Sequence, residues 1–322
     1  MSTILATGAI GLIGSRFAQL YHDDYTIDNI DILSGVDITQ KESVAQFVSE
    51  HKASVMIHLA AFSDTTRANE QDGQQDGSCY QVNVIGTKNI AEVCRESGIH
   101  LIHISTDFVF DGANPPEGGY TEDSLPNPLD WYGKTKLMSE EVVKKAGVSY
   151  TIVRLSYPYR AAFPGKPDII QKIRQGLEAG TLPPQFSDTL ITPTFIDDIA
   201  RGFAKLIETR PTGTFHFVGS DSLSPYALAL QVAQAYGYDQ SLVKEGSLTQ
   251  YLSHSPRPYA RHAVMSNHKA STVLGLDFAT VNDGLIQIQK QQESWKIHFI
   301  SFSFWLLSPW SISNIFCKTN LI

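Results

Sequence analysis

The chain has 322 residues, 42% of them hydrophobic and 18% charged, with a formal net charge of −8. That is enough apolar sequence for one large or two ordinary packed domains, and the negative balance argues against nucleic acid as a partner. Cys79, Cys94 and Cys317 have neither paired nor metal-type spacing, so unbridged thiols in a reducing, cytoplasmic setting are expected.

Too little chain precedes Thr7 for a signal peptide. Residues 3–7 (TILAT) read as a buried strand running straight into glycines, and Ile10, Leu12, Ile13, Phe17 and Leu20 follow at roughly helical spacing. Ser54–Ala61 is a continuous apolar run, as in a strand covered on both faces. Helical periodicity returns over Gln81–Cys94, a buried strand over 100–105 (HLIHIS), a helix over Asp130–Val143 and a strand over Ser149–Leu155. This alternation predicts an α/β fold, a doubly wound parallel sheet of the Rossmann type.

After Tyr157 proline and glycine become frequent, and the elements shorten. Asp197–Ile207 reads as a helix returning to the first unit, and Thr214–Val218 as a short strand. The expected organisation is a dinucleotide-binding domain over 1–156, rejoined by about 195–218, with a smaller interleaved substrate lobe over 157–194 and 219–294. Residues 295–322 form an atypical apolar tail with no convincing helical period, and the recognisable elements are expected to end near residue 290. Ile297–Cys317 lacks Asp, Glu, Lys and Arg and is about long enough to span a bilayer, but Pro309 and polar positions such as Ser301, Ser303, Ser311 and Asn314 argue against a span. A disordered tail and an altered reading frame after Trp295 are the other readings.

Gly8, Gly11 and Gly14 lie between the first strand and the first helix, with Leu12 and Ile13 inside the loop. Glycines permit the tight turn and let backbone N–H groups approach a pyrophosphate at the positive end of the helix. At the adenosine end, Asp28 or Asp31 could bind a ribose 2′-hydroxyl, and Asp37 and Ile38 could flank the adenine. Arg16 offers the opposite possibility, a 2′-phosphate partner. These charges point to NAD(H), with NADP(H) as the alternative.

Tyr132 and Lys136 are four apart on a predicted helix and share a face. A nearby ammonium favours the phenolate and should lower the ordinary tyrosine pKa of about 10, so that Tyr132 can protonate a carbonyl oxygen as hydride arrives at carbon. Ser105-Thr106 ends a buried strand, where ligands of doubly wound sheets bind, and a hydroxyl there can hold the reacting oxygen. His254, His262 and His268 lack a compact metal spacing, and no metal is expected.

Together the segments TGAIGLIG, HLAA, YQVNVIGTKNIAEVC, ISTDFVFDG, YTEDSLPNPLDWYGKTKLMSE and PTFIDDIA resemble the extended short-chain dehydrogenase/reductase family. ISTDFVFDG followed by YGKTK is most similar to its dTDP-4-dehydrorhamnose reductase branch, over about residues 3–290. The resemblance implies that Thr106, Tyr132 and Lys136 are the catalytic set. It also implies cofactor contacts at Gly8, Gly11, Gly14, Asp37, Ile38, Ala60, Ala61 and Asn83, with Tyr132 and Lys136 also reaching the cofactor. Related 4,6-dehydratases carry Asp then Glu after the strand-end Thr; here Asp107 is followed by Phe108, which favours reduction without dehydration and leaves Asp107 to orient a sugar hydroxyl. Tyr157 stands where the branch has a Trp against the sugar, Arg257 is placed to meet a diphosphate, and the polar stretch Asp64–Ser78 looks inserted. The implied activity is reduction of the 4-keto group of a deoxysugar nucleotide by a reduced nicotinamide. A 4-epimerase and a non-catalytic, cofactor-binding regulatory subunit are the competing readings. The expected partners are the nucleotide sugar and, as an open question, a second copy in a homodimer.

Overall fold

The computed structural model describes residues 1–255 and 257–306, with 294–306 described in backbone only. The chain opens with β1 (Ser2–Thr7), α1 (Leu12–Leu20), β2 (Tyr25–Ile30), α2 (Lys41–Glu50) and β3 (Val55–His58). Two short turns, α3 (Thr65–Asn69) and α4 (Ser78–Tyr80), lead through a π-helical segment at Gln81–Gly86 into α5 (Thr87–Ser97). Next come β4 (His100–Thr106), α6 (Trp131–Lys145), β5 (Tyr150–Leu155) and β6 (Pro158–Tyr159). They are followed by α7 (Ile169–Ala179), β7 (Gln185–Phe186), β8 (Thr194–Phe195), α8 (Ile196–Thr209) and β9 (Gly213–Phe217). The last elements are α9 (Pro225–Tyr236), β10 (Glu245–Gly246), α10 (Leu248–Leu252), α11 (His268–Leu274) and α12 (Val281–Leu306).

The main sheet has the order β2-β1-β3-β4-β5-β9, and every pair in it is parallel. β1 is flanked by β2 on one side and β3 on the other, so the winding direction reverses there. A crevice opens at that point, outside the carboxyl ends of the strands. Alternation along β1 serves two cores. Ile4 and Ala6 face one with Phe17, Ile199 and Phe203; Leu5 faces the other with Val44, Val48, Ile90 and Val143. Both faces are therefore covered by helices, which explains why every residue of β3 and β4 is buried. Each such side chain contributes about 1.5–3 kcal/mol by leaving water.

A separate apolar cluster holds the other lobe: Tyr159, Ile173, Leu177, Phe195, Leu228, Val232, Val281, Leu285 and Ile288. Val281, Leu285 and Ile288 recur on one face of α12 and face that cluster. Residues 196–217 leave this lobe to supply α8 and the edge strand β9.

Two sequence expectations are corrected here. The helix read as Asp130–Val143 begins at Trp131, because Asp130 is its cap and accepts the Gly133 N–H at 2.8 Å. The elements do not end near 290, nor does a tail without helix begin at 295: α12 continues without a break to Leu306. Its first turns repeat apolar residues inside an otherwise polar stretch, a signal diluted by four glutamines between Gln287 and Gln292. Among the described residues no helix is long and apolar enough to cross a membrane. Residues 307–322 of the tail, including Cys317, lie outside the described residues.

Candidate active site

The crevice is a cavity of about 890 Å³ that runs from the turn after β2 to the start of α6. Gly8, Gly11, Leu12, Ile13 and Gly14 form its floor, and Asp31, Asp37, Ile38, Ala60 and Ala61 line the same wall. Gly8 has φ 66, and a side chain there would press on the Ala60 backbone N at 3.0 Å. Gly11 is the N-cap of α1 and provides no side-chain cap, so the first N–H groups of the helix remain available to an anion. An uncapped helix start over a glycine cradle fits the diphosphate of a nicotinamide dinucleotide.

β4 delivers Thr106 to the far end of the cavity. Thr106 caps the short 3-10 turn Asp107–Val109, accepting the Phe108 N–H at 3.3 Å. α6 starts against that turn. Gly133 touches the Phe108 carbonyl so closely that a Cβ would overlap it, so the YGK sequence lets Tyr132 come up beside Thr106. The Tyr132 and Phe108 rings pack edge to face at 5.5 Å. One turn on, Lys136 is 2% exposed and lines the same cavity.

The electrostatics differ from the expectation at Tyr132. Burial, then the Asp107 charge, raise its phenol above the ordinary value of 10, against the Thr106 hydroxyl, which lowers it. Tyr132 is therefore held protonated, the form a reduction needs from its acid. Burial pulls Lys136 down to about 8, opposed by the Glu140 carboxylate. Glu140 itself is paired with Arg154 of β5 through two contacts of 2.7 and 2.8 Å, and this pair fastens α6 to the sheet. Asp107 is buried, and that burial raises its carboxyl to about 6 against hydrogen bonds from Ser156 and Thr106. Its oxygens accept the Thr106 hydroxyl at 2.9 Å and the Ser156 hydroxyl at 2.8 Å. Asp107 thus orients Thr106, and Ser156, absent from the sequence reading, supports it.

Other expected residues take different places. Asn83, implied as a cofactor contact by the resemblance, is 1% exposed in the π-helical segment and is not among the residues lining the cavity. Its Oδ1 accepts the Phe62 N–H at 2.8 Å and its Nδ2 donates to Thr135 at 3.0 Å, so it fixes the turn carrying Ala60 and Ala61. Arg16 is corrected as a phosphate partner, because it is buried and paired with Asp197 through two contacts of 2.6 Å. Asp28 lies off the cavity, 3.9 Å from His51, whereas Asp31 lines it.

Tyr157 has φ 41, a left-handed backbone unusual for a tyrosine. It stands between the large cavity and a smaller one of about 50 Å³ lined by Asp107, Phe108, Leu190, Ile191, Tyr259 and Ala263, among others. Arg257 is stacked on Tyr259 at 4.7 Å beside this smaller cavity, but its guanidinium donates to Asp130 at 3.1 Å. Its charge is thereby paired with the N-cap of α6. Lys166 and Lys172 also line the large cavity; lone lysines in a loop and a helix gave no sequence signal.

Comparison with known proteins places the chain in a family. A family profile described as RmlD substrate binding domain matches residues 1–293. The chain belongs to this family. A dTDP-4-dehydrorhamnose reductase of Aggregatibacter actinomycetemcomitans is 30% identical over 240 residues, 72% of this chain and 78% of that one. A probable low-salt glycan biosynthesis reductase of Haloferax volcanii is 28% identical over 299 residues, 88% and 96% of the two chains. The crystal structure of dTDP-4-dehydrorhamnose reductase from Bacillus anthracis in complex with NADP superposes with a TM-score of 0.81 at 26% identity, covering 90% of this chain and all (100%) of that one. The beta subunit of rat methionine adenosyltransferase 2 is also similar, 28% identical over 259 residues, 74% and 73% of the two chains.

Proposed function

We propose that this protein is an NAD(P)-dependent reductase of a 4-keto deoxysugar nucleotide, of the dTDP-4-dehydrorhamnose reductase kind. The observation that carries the reading is the convergence of Thr106, Tyr132 and Lys136 at one end of a cavity whose other end is an uncapped glycine-rich helix start. The bound nicotinamide would supply hydride. The chain's own groups do the rest. The Thr106 hydroxyl turns its one proton from Asp107 to the carbonyl oxygen and holds it; Tyr132 gives that oxygen a proton; the Lys136 ammonium stabilises the phenolate left behind. Phe108 stands where a dehydratase would carry a second carboxylate, so that position offers no base for removal of a proton at the neighbouring carbon.

NADH is the proposed preferred donor. Asp31 faces the adenosine end and would repel a 2′-phosphate, while Arg16 is already neutralised by Asp197. The similarity to a methionine adenosyltransferase beta subunit favours a second reading, a cofactor-binding regulatory partner. The catalytic set argues against it.

The test is loss of reduced-nicotinamide absorbance when the protein meets a dTDP-4-keto-6-deoxysugar. Consumption matched by a reduced sugar supports the reductase. Interconversion of sugars without net consumption would make it an epimerase, and tight cofactor binding with neither would make it a regulatory subunit.

A further inference from the structure

Beyond Tyr157 and Pro158 at its edge, the substrate lobe sends Lys166, Ile169 and Lys172 into the wall of the cofactor cavity. Ile169 and Lys172 are three apart at the start of α7, so they share a face, and that face is turned to the cavity. The position of α7 is fixed by a chain of polar contacts. Asp168 caps it through the Gln171 N–H at 2.9 Å, and the other Asp168 oxygen accepts the Arg160 N–H at 3.0 Å. The Arg160 guanidinium reaches across to α1, donating to the Leu12 carbonyl at 3.0 Å and to the Ser15 hydroxyl at 2.9 Å. One buried arginine therefore ties the start of α7 to the first turn of the pyrophosphate helix.

The charges on the two walls are unequal. The glycine loop offers N–H groups but no cation, since Arg16 is turned away into its pair with Asp197. Lys136, the third lysine in the lining, belongs to the catalytic end with Tyr132. Lys166 and Lys172 are exposed, share the cavity lining with Ile10, Ser63 and Thr65, and have no carboxylate within salt-bridge distance among the described residues. Asp64, on the 62–65 loop, accepts the Thr66 and Arg67 N–H groups at 3.1 Å, and after the Arg67 N–H the Lys166 charge also helps hold its carboxyl below the ordinary value, without a direct ion pair. A dinucleotide diphosphate carries two negative charges and lies at the start of α1.

We propose that Lys166 and Lys172 are the cationic half of the cofactor's diphosphate site, so that the substrate lobe, not the dinucleotide-binding half, supplies the counter-charge. This rests on reading the cavity as a dinucleotide site. Two diphosphates could claim these lysines, that of the cofactor and that of the nucleotide sugar. The cofactor is favoured because both lysines share a lining with Gly11 and Ile10, and neither lines the smaller cavity behind Tyr157.

The experiment is titration of the full chain, without substrate, with NADH, NADPH, ADP-ribose and dTDP, read by calorimetry. Wild type is compared with Lys166→Ala/Lys172→Ala and with Lys166→Arg/Lys172→Arg; both sites are exposed, and thermal midpoints check folding. The alanine pair should weaken NADH, NADPH and ADP-ribose alike, by about tenfold at low salt, with a shallower salt dependence, and the arginine pair should restore binding. A loss confined to NADPH would assign the lysines to a 2′-phosphate, and a loss confined to dTDP would assign them to the substrate. Either result, or unchanged binding of all four, overturns the proposal while leaving the cofactor reading intact. Failure of the wild type to bind NADH, NADPH and ADP-ribose would overturn both.

Discussion

The dinucleotide-binding half and the substrate lobe build their parts of the site in different ways. In the first half, each functional group sits on a continuous strand-turn-helix unit: Gly8 to Gly14 between β1 and α1, Thr106 at the end of β4, and Tyr132 and Lys136 on the first turns of α6. In the lobe, groups arrive singly and are held by distant partners, Arg160 by Leu12 and Ser15 and Arg257 by Asp130. The difference teaches that the chemistry is fixed by local geometry, whereas recognition depends on how the two halves are tied together.

The sharpest way to break this division is Tyr132→Phe. If the proton comes from the first half alone, turnover should fall by about 10²–10⁴-fold, with cofactor affinity within a few-fold of wild type. Retained turnover would remove Tyr132 from the chemistry. Next in size is the anchor of the catalytic helix. Glu140→Ala leaves the Arg154 guanidinium buried without its partner, so unfolding in denaturant should show a loss of about 3–5 kcal/mol. A loss under about 1 kcal/mol would show that α6 is held by packing alone.

Asp107 ties the end of β4 to the end of β5 through Thr106 and Ser156, and its pH response sharpens the comparison. Its folded carboxyl is raised to about 6 from 3.8, chiefly by burial. A raised acid contributes stability that is fully present below its unfolded value and is lost as pH rises through about 6. Asparagine stays neutral, so Asp107→Asn should gain on wild type as pH rises from about 4 to about 7, by a few degrees in thermal midpoint. Parallel curves would mean that the carboxyl is not perturbed. The smallest effect is expected at the adenosine end: Asp31→Ala should lower the ratio of kcat/KM for NADH over NADPH by about tenfold, equivalent to about 1.4 kcal/mol. A ratio that does not move would place discrimination elsewhere.

What the sequence made legible follows the same division. The glycine loop and the Tyr132/Lys136 pair could be read because spacing within one element dictates which side chains meet. Arg16 could not, because its partner Asp197 is 181 residues away and no local pattern reports the pairing. Asn83 was placed on the cavity side by resemblance, but the π-helical segment turns it to Phe62 and Thr135. A lysine charge alone would lower the Tyr132 phenol, but burial and Asp107 act the other way and raise it. Lys166 and Lys172 acquire a meaning only once Arg160 brings α7 against α1.

The central claim is transfer of hydride to a 4-keto sugar with Tyr132 as the proton donor. A single turnover with reduced nicotinamide deuterated at the transferring position, followed by mass spectrometry of the sugar nucleotide, tests it directly. The account predicts a reduced product carrying one deuterium at C4, and no labelled product from Tyr132→Phe. Oxidised cofactor without labelled sugar, or an unlabelled epimer from wild type, would contradict it.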